Sequence, residues 1–259
     1  MFGAGDWRTP TEERPPAPEL RAGDSIELGA GLSARIERVE KDEPRLVELS
    51  FDQQGMALFR ALFRLGRPVQ YSYLKTPLAL WDVQSRFAAR PWSVEPASAG
   101  LGLTFGLIVE LKRRGIGIAS VTHAAGISST GSTVLDRRLP LPERYEVNRA
   151  AVASISATRK AGGRVIAVGT TVVRALESAA ESSGAELEPS SGEATLRISR
   201  GFEPRVVGGV LTGMHAPDTS HFALLEAFAD GALLERAYAH AVRAGYLGHE
   251  FGDACLVVR

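Results

Sequence analysis

RVIAVGTTVVRALES, residues 164–178, is the stretch that decides the fold class. Its first five residues form a continuous apolar run, which is typical of a buried parallel strand. A turn, Gly169–Thr171, follows at once, and apolar positions at helical spacing predict a helix from Val172 to about Ser183. A buried strand that passes directly into a helix indicates an α/β fold.

The turn after this strand has the composition of an anion site. Backbone N–H groups, the hydroxyls of Thr170 and Thr171 and the positive helix end converge beside Gly169, where α/β folds bind carboxylates or phosphates. Arg174 could then pair with a ligand carboxylate. A purely structural interpretation makes Thr171 an N-cap and joins Arg174 to Glu177 as a surface ion pair, and spacing alone favours it.

The N-terminal part of the chain has a different pattern. Residues 24–51 alternate with period two between Gly and Pro turns, which predicts three antiparallel strands. A helix over about 56–65 follows and stops at Gly66. We therefore predict a flexible lead-in over 1–22, a small β-rich domain over 23–66 and an α/β domain over 67–259.

Helical and strand patterns alternate through the rest of the chain. Thr104 and Asn148 are predicted to cap the first two helices, and the second ends near Ala161. The other predicted elements are strands at 116–121, 194–199 and 205–211, helices at 219–229 and 232–244, and a last strand at 254–258.

Three further polar residues are candidates for acid–base chemistry. His215 lies in the loop TGMHAPDTSH, residues 212–221, between a predicted strand and helix, and Thr219 or Ser220 can cap that helix. His123 follows the strand over 116–121, and Glu143 lies in a later loop. A single loop histidine can equally be structural or solvated.

Composition narrows the classes of function. Thirty basic and thirty acidic residues give no net charge, so nucleic-acid binding would need a local basic patch. The candidates are 112–114, 137–138 and the arginines between 197 and 205. The single cysteine, Cys255, excludes an intrachain disulfide and is expected in the core, and no residue spacing indicates a metal site. Without a signal peptide or an apolar span, we expect a cytoplasmic protein with no membrane partner.

Five segments, in order, resemble motifs of one family, the S-adenosylmethionine:tRNA ribosyltransferase-isomerases of queuosine biosynthesis. Residues 164–178 contain its V-G-T-T-x-x-R-x-L-E signature almost unchanged. The other four matches are VQSRFA at 83–88, SAGLGLT at 98–104, TGMHAPDTS at 212–220 and FGDACLVV at 251–258. They are similar to the family's YQTVYA, TAGLHFT, T-N-F-H-L-P-x-S-T and YGDAMLI.

The resemblance covers about residues 20–259 and implies a barrel-like α/β domain with a separate, smaller antiparallel all-β domain. It implies transfer and isomerisation of the ribosyl moiety of S-adenosylmethionine, the co-substrate, onto 7-aminomethyl-7-deazaguanine in tRNA, giving epoxyqueuosine. Gly169, Thr170, Thr171 and Arg174 would form part of the S-adenosylmethionine site. His215, Glu143 and His123 would be the catalytic candidates.

The chain also departs from the family's motifs. Gly102 stands where TAGLHFT has histidine, and THAAGISST places His123 one position away from the histidine of T-L-H-V-G-x-G-T-F. A shift of one strand position reverses the side-chain direction. The H-x-M-H-x-E motif becomes RLPLPE, which keeps only Glu143. The family's usual N-terminal portion has no counterpart, so the resemblance is to a divergent, N-terminally shortened member.

Three functions therefore remain open from the sequence. The first is a ribosyltransferase-isomerase that acts on tRNA. The second is an enzyme of the same fold that uses S-adenosylmethionine on a small molecule, which would tolerate the altered histidines. The third is a catalytically inactive binding paralogue or fragment. Sequence gives no indication of the oligomeric state.

Overall fold

The computed structural model describes residues 4–10, 13–15, 18–184, 186–248 and 250–259. Its strands and helices are, in chain order, β1 (Ser25–Gly29), β2 (Leu32–Val39), β3 (Val47–Phe51), α1 (Gly55–Leu65), α2 (Leu80–Val83), α3 (Phe105–Arg113), β4 (Thr122–His123), α4 (Thr133–Asp136), β5 (Glu143–Val147), α5 (Arg149–Lys160), β6 (Ile166–Val168), α6 (Thr170–Ser183), β7 (Ser190–Ala194), β8 (Gly209–Gly213), α7 (Ser220–Leu225), α8 (Gly231–Arg243) and β9 (Ala254–Val258).

These elements fall into two compact units, one formed by residues 1–83 with 128–139 and the other by 84–127 with 140–259. The domain boundaries predicted from the sequence stay a prediction. Within the predicted lead-in, residues 1–3, 11, 12, 16 and 17 lie outside the described residues. No helix in the described part of the chain has the length and apolar character that crossing a membrane requires.

The first unit contains the predicted meander. Strands β1, β2 and β3 pair antiparallel in chain order. Alternate residues of β2, namely Leu32, Ala34 and Ile36, are buried, as period-two patterning requires when one face of a sheet is covered. Helix α1 follows and ends at Gly66, as predicted. The smaller antiparallel sheet is therefore confirmed.

The second unit contains two three-stranded sheets. Strands β4, β5 and β7 pair antiparallel, whereas β6 pairs parallel with β8 and β8 pairs antiparallel with β9. Helix α6 contacts strands of both sheets. Nine of its residues are buried, Thr170 and the run from Val173 to Ala180. A helix that is buried on nearly every side is a core element rather than a surface one.

The α/β class is confirmed, but the barrel-like arrangement is not. The described residues form three separate sheets and no closed barrel. A sheet closes into a barrel only when its edge strands pair, and β6 and β9 remain edge strands of their sheet. The edge strand β6 of the mixed sheet has three residues, so it offers few backbone hydrogen bonds to a further strand.

Several predicted boundaries are wrong. Residues 116–121 form no strand, because only Thr122 and His123 pair with β5, opposite Glu146 and Tyr145. The strand predicted at 194–199 lies earlier, at β7, and the one predicted at 205–211 lies later, at β8. The helices capped by Thr104 and Asn148, and the last strand, are confirmed. The ends of a strand depend on partner strands that can lie far along the chain, whereas a helix cap depends on neighbouring residues.

Leu225 in α7 tests the core of the second unit, since its side chain is fully buried. We expect Leu225→Ala to lower the free energy of unfolding by about 2–5 kcal/mol, because it removes buried apolar surface and leaves a cavity. Urea denaturation measures the change. Leu233→Ala is the matched control, since Leu233 in α8 is 51% exposed, and it should change the value by less than about 1 kcal/mol. Equal effects would contradict this assignment of the core.

Candidate active site

The turn between β6 and α6 is held by backbone geometry. Gly169 has a φ of 101°, a conformation that favours glycine, and its N–H donates to the carbonyl of Leu211 at 2.8 Å. Gly169 is itself the N-cap and supplies no side-chain bond, so the prediction that Thr171 caps α6 is wrong. Thr170, which is buried, and Thr171, which is half-buried, occupy the first helical turn, where N–H groups lack intrahelical acceptors.

Three segments meet at this end of the mixed sheet. Because β6 and β8 are parallel, with Val168 opposite Leu211, their carboxyl ends lie side by side. The 212–221 loop therefore begins next to the 169–171 turn. Ala99, in a 3-10 turn at Ser98–Gly100, lies 3.6 Å from the position that a Cβ on Gly169 would take. Motifs that are separated by more than 100 residues in sequence thus share one edge.

Arg174 lies one turn further along α6 and is 3% exposed. Its Nε donates to the carbonyl of Leu196 at 3.0 Å, and its Nη2 donates to the carbonyls of Leu141 and Ala194 at 3.1 and 2.7 Å. Its Nη1 forms a salt bridge with Glu143. Most of its donors are therefore used within the protein, so few remain for a ligand.

Glu143 completes this buried pair at the start of β5. Its Oε1 also accepts the N–H of Gly126 at 2.9 Å. Burial raises the pKa of the Glu143 carboxyl, although Arg174 and the Gly126 N–H act in the opposite direction. Burial likewise lowers the pKa of Arg174 against the attraction of Glu143. The charge of each residue therefore offsets the free-energy cost of burying the charge of the other.

Glu177 has a separate structural role. It is 1% exposed and accepts backbone N–H groups of Arg205, Val206 and Val207 at 2.8–3.0 Å. The interpretation of Arg174 and Glu177 as a surface ion pair is therefore wrong. Both side chains are buried and each binds a different segment, so α6 is tied to β5 on one side and to the approach to β8 on the other.

His215 lies in the loop after β8, where its Nε2 is 2.8 Å from the Thr212 hydroxyl oxygen. Its ring stacks on that of His221, with centroids 4.7 Å apart and an angle of 18° between the planes. Burial, with the charge of His221 as a second cause, lowers the pKa of His215 to about 3. His215 is thus a neutral imidazole at physiological pH.

His123 lies on β4 opposite Tyr145, in the same sheet as Glu143. Its Nδ1 is buried and has no hydrogen-bond partner among the described residues. Burial lowers the pKa of His123 to about 4, so this imidazole is also neutral. Ala124 and Gly126, which follow His123, bond to β5 at Arg144 and Glu143, so this segment runs along the buried ion pair.

The predicted basic clusters are divided between the two units. Arg113 and Arg114 each pair with Glu110, at 3.7 and 2.8 Å, on the exposed end of α3. Residues 137–138 belong to the other unit, where Arg138 lies 3.8 Å from Glu40. Cys255 was expected in the core, but it is only half-buried, on strand β9.

Comparison with known proteins identifies the family. The family model described as queuosine biosynthesis protein matches residues 9–257. The S-adenosylmethionine:tRNA ribosyltransferase-isomerase of Bradyrhizobium sp. strain BTAi1 is 35% identical over 264 residues, which cover 94% of this chain and 71% of the relative. The chain belongs to the queuosine biosynthesis protein family. The resemblance found in its motifs is therefore confirmed.

Other members of the queuosine biosynthesis family agree. The S-adenosylmethionine:tRNA ribosyltransferase-isomerase of Thermosynechococcus vestitus is 36% identical, with 94% of this chain and 69% of the relative covered. The crystal structure of S-adenosylmethionine tRNA ribosyltransferase from Thermotoga maritima is similar with a TM-score of 0.52 and 28% identity, covering 93% of this chain and 67% of that one.

Sequence reasoning missed His221 and the buried pairing of Arg174 with Glu143. His221 lies one position beyond the family-like motif at 212–220, six residues after His215. Its proximity depends on how the loop folds back onto the start of α7, which no periodicity reveals. The partner of Arg174 lies 31 residues away along the chain. The sequence indicated Arg174 and Glu143 only separately, each as a polar candidate for the site.

The Arg174–Glu143 pair should be a main determinant of stability in this family fold. Arg174→Ala would leave a buried carboxylate and three carbonyls without their donor, so we expect a loss of about 3–5 kcal/mol in the free energy of unfolding. Thermal and urea unfolding would measure it. Arg114→Ala is the control, because its pair with Glu110 is exposed and worth less than about 1 kcal/mol. Similar small losses in both variants would refute the assignment.

Proposed function

We propose that this chain is an S-adenosylmethionine:tRNA ribosyltransferase-isomerase. It transfers and isomerises the ribosyl moiety of S-adenosylmethionine onto 7-aminomethyl-7-deazaguanine in tRNA, which gives epoxyqueuosine and releases adenine and methionine. The observation that carries the proposal is the meeting of three family-like segments, 98–104, 169–171 and 212–220, at one end of the β6–β8 pair. Relatives with that name align over 94% of the chain.

In this proposal the 169–171 turn binds S-adenosylmethionine. The first N–H groups of α6 and the Thr170 and Thr171 hydroxyls provide donors, and the helix dipole favours a negative group such as the methionine carboxylate. Arg174 contributes to the site by fixing its wall, because its hydrogen bonds go to Glu143 and to backbone carbonyls. Gly169 supplies the positive φ of the turn and leaves room for Ala99 of the 98–104 segment.

Proton transfer is assigned to His215, with Glu143 and His123 as the other candidates. Ribosyl transfer requires a proton to be removed from the attacking amine and one to reach the departing adenine. Burial keeps His215 a neutral imidazole in the free chain, so in this proposal it accepts the first proton and passes it on to the departing adenine. Glu143, bound to Arg174, is placed to stabilise positive charge rather than to move freely.

The test of S-adenosylmethionine binding uses Thr171→Val. This change removes a hydroxyl from the first turn of α6, and we expect the Kd for S-adenosylmethionine to rise about tenfold, the value of a hydrogen bond to a charged group. Calorimetry measures the Kd. Thr158→Val is the matched control, because Thr158 is a half-buried threonine on α5 that bonds only to the carbonyl of Ser154.

Adenine release in the same samples distinguishes the three functions. Release that requires tRNA would support the proposal. Release without tRNA, in the presence of a small acceptor, would favour the small-molecule enzyme, and S-adenosylmethionine binding without release would favour an inactive binding paralogue. Failure of the wild-type chain to bind S-adenosylmethionine would contradict the proposal itself.

A surface of the second unit suits the tRNA acceptor. Arg144 lies on the exposed face of β5, immediately after Glu143, and its guanidinium stacks 4.0 Å from the ring centroid of Trp92. Arg90 lies 4.9 Å from the same ring and pairs with Glu146 at 3.2 Å. Aromatic rings and guanidinium planes are the groups on which unpaired RNA bases stack.

We expect Arg144→Ala to raise the KM for tRNA about three- to tenfold and to reduce the salt dependence of tRNA binding by about one ion, with the Kd for S-adenosylmethionine unchanged. Glu193 is the register partner of Arg144 on β7, so Glu193→Gln should act in the opposite direction. Arg236→Ala, an exposed arginine on α8, is the control. If the KM for tRNA and the salt dependence of tRNA binding in Arg144→Ala equal those of the control, tRNA does not bind to this surface.

A further inference from the structure

The rings of His221 and His215 stack on each other near the end of β8. His221 is the second residue of α7, directly after the capped turn in which Thr219 Oγ1 accepts the N–H of Phe222. This cap fixes the first turn of α7, and with it the position of the His221 ring against His215. The rings lie 4.7 Å apart and nearly parallel. The proposed reaction assigns no role to His221.

Charged and titratable groups from α6, α8, β9 and the segment before β9 surround this pair. Arg174 on α6 and Glu250 before β9 both act electrostatically on His221. Tyr238 on α8 lies close to the His215 backbone and to the thiol of Cys255 on β9. Thr212, which bonds His215, is the register partner of Cys255. The pair is therefore enclosed by α6, α8 and β9, with Arg174 joining it electrostatically to the buried ion pair.

We propose that His221 is a positioning residue, whose stacked ring holds His215 in the orientation where Nε2 meets the Thr212 hydroxyl and Nδ1 is left for the reacting groups. The proposal rests on the proposed function for the identity of the reaction. It does not require His221 to exchange a proton. The near-parallel stack and the Thr212 contact together fix both rotatable bonds of the His215 side chain.

The charges around the pair explain why stacking matters. Two protonated imidazoles at this spacing would repel each other, and Arg174 adds a third positive charge, so the pair holds at most one proton under working conditions. Burial lowers the pKa of both rings, and only Glu250 opposes this for His221. In this proposal the neutral ring of His221 covers one face of the His215 ring and places no second positive charge beside it.

The test compares His221→Phe with His221→Ala. Phenylalanine keeps a planar apolar ring and alanine removes it. With Phe we expect kcat within about threefold of wild type and a low pKa for His215. With Ala we expect kcat to fall roughly tenfold or more, because misplacement of a catalytic group is costly, and the pKa of His215 to rise from about 3 toward 6.5 as water enters. The acid limb of the kcat profile should move to higher pH with it.

Nuclear magnetic resonance titration of the His215 ring gives a readout that does not depend on activity. It reports the pKa of His215 even if the chain proves to have a different substrate, so failure of the proposed function and failure of this proposal are distinguishable. His240→Ala, an exposed histidine on α8, is the control for assignment and stability. His221→Asn, with a planar group too small to stack, replaces His221→Ala if that variant does not fold.

Two results would overturn the proposal. If His221→Phe is as damaging to kcat as His221→Ala, with the pKa of His215 unchanged in the Phe variant, His221 itself exchanges protons. If His221→Ala leaves both kcat and the pKa of His215 as in wild type, the stack has no positioning role. Recovery of both quantities in the Phe variant alone supports it.

Discussion

The buried salt bridge between Arg174 and Glu143 is the constraint on which the second unit depends. A charged pair out of water is tolerated only when every donor and acceptor is used, and here backbone carbonyls at 141, 194 and 196 and the N–H of Gly126 complete it. The arginine belongs to α6 and its partners belong to β5, β7 and the segments next to them. The pair therefore fixes the helix against the antiparallel sheet.

The opposite side of α6 is fixed in a complementary way. Glu177 accepts three consecutive backbone N–H groups just before β8, which ties the helix to the mixed sheet. With an ion on each side, α6 cannot slide or rotate without leaving a buried charge unpaired. Its N-terminal turn, Gly169–Thr171, is consequently held against the end of β8. A ligand site at that turn would therefore be preorganised, because contacts within the protein hold the turn in place before any ligand binds.

The limits of sequence reasoning follow from which interactions are local. The β1–β3 meander, the caps at Thr104 and Asn148 and the strand–turn–helix at 164–183 were predictable, because alternation, capping residues and apolar spacing act over a few neighbours. The partner of Arg174 was not. Spacing suggested Glu177, three residues away, whereas the folded chain pairs it with a residue 31 positions earlier. The absence of a strand at 116–121 has the same origin, since pairing with β5 decides where β4 lies.

The departures from the family's motifs change which imidazole rings lie close together in the structure. At Gly102, where the motif has histidine, a Cβ would meet nothing within 4 Å, so the position leaves open space rather than a substitute group. The Nδ1 atom of His123 is buried and has no hydrogen-bond partner among the described residues. The two imidazoles in mutual contact, at 215 and 221, both come from the single stretch that runs from the end of β8 into the first turn of α7. The stack of His221 on His215 is therefore formed by residues that are close together in the chain. The geometry of this stack depends on the end of β8, against which α6 packs, and on the Thr219 cap of α7.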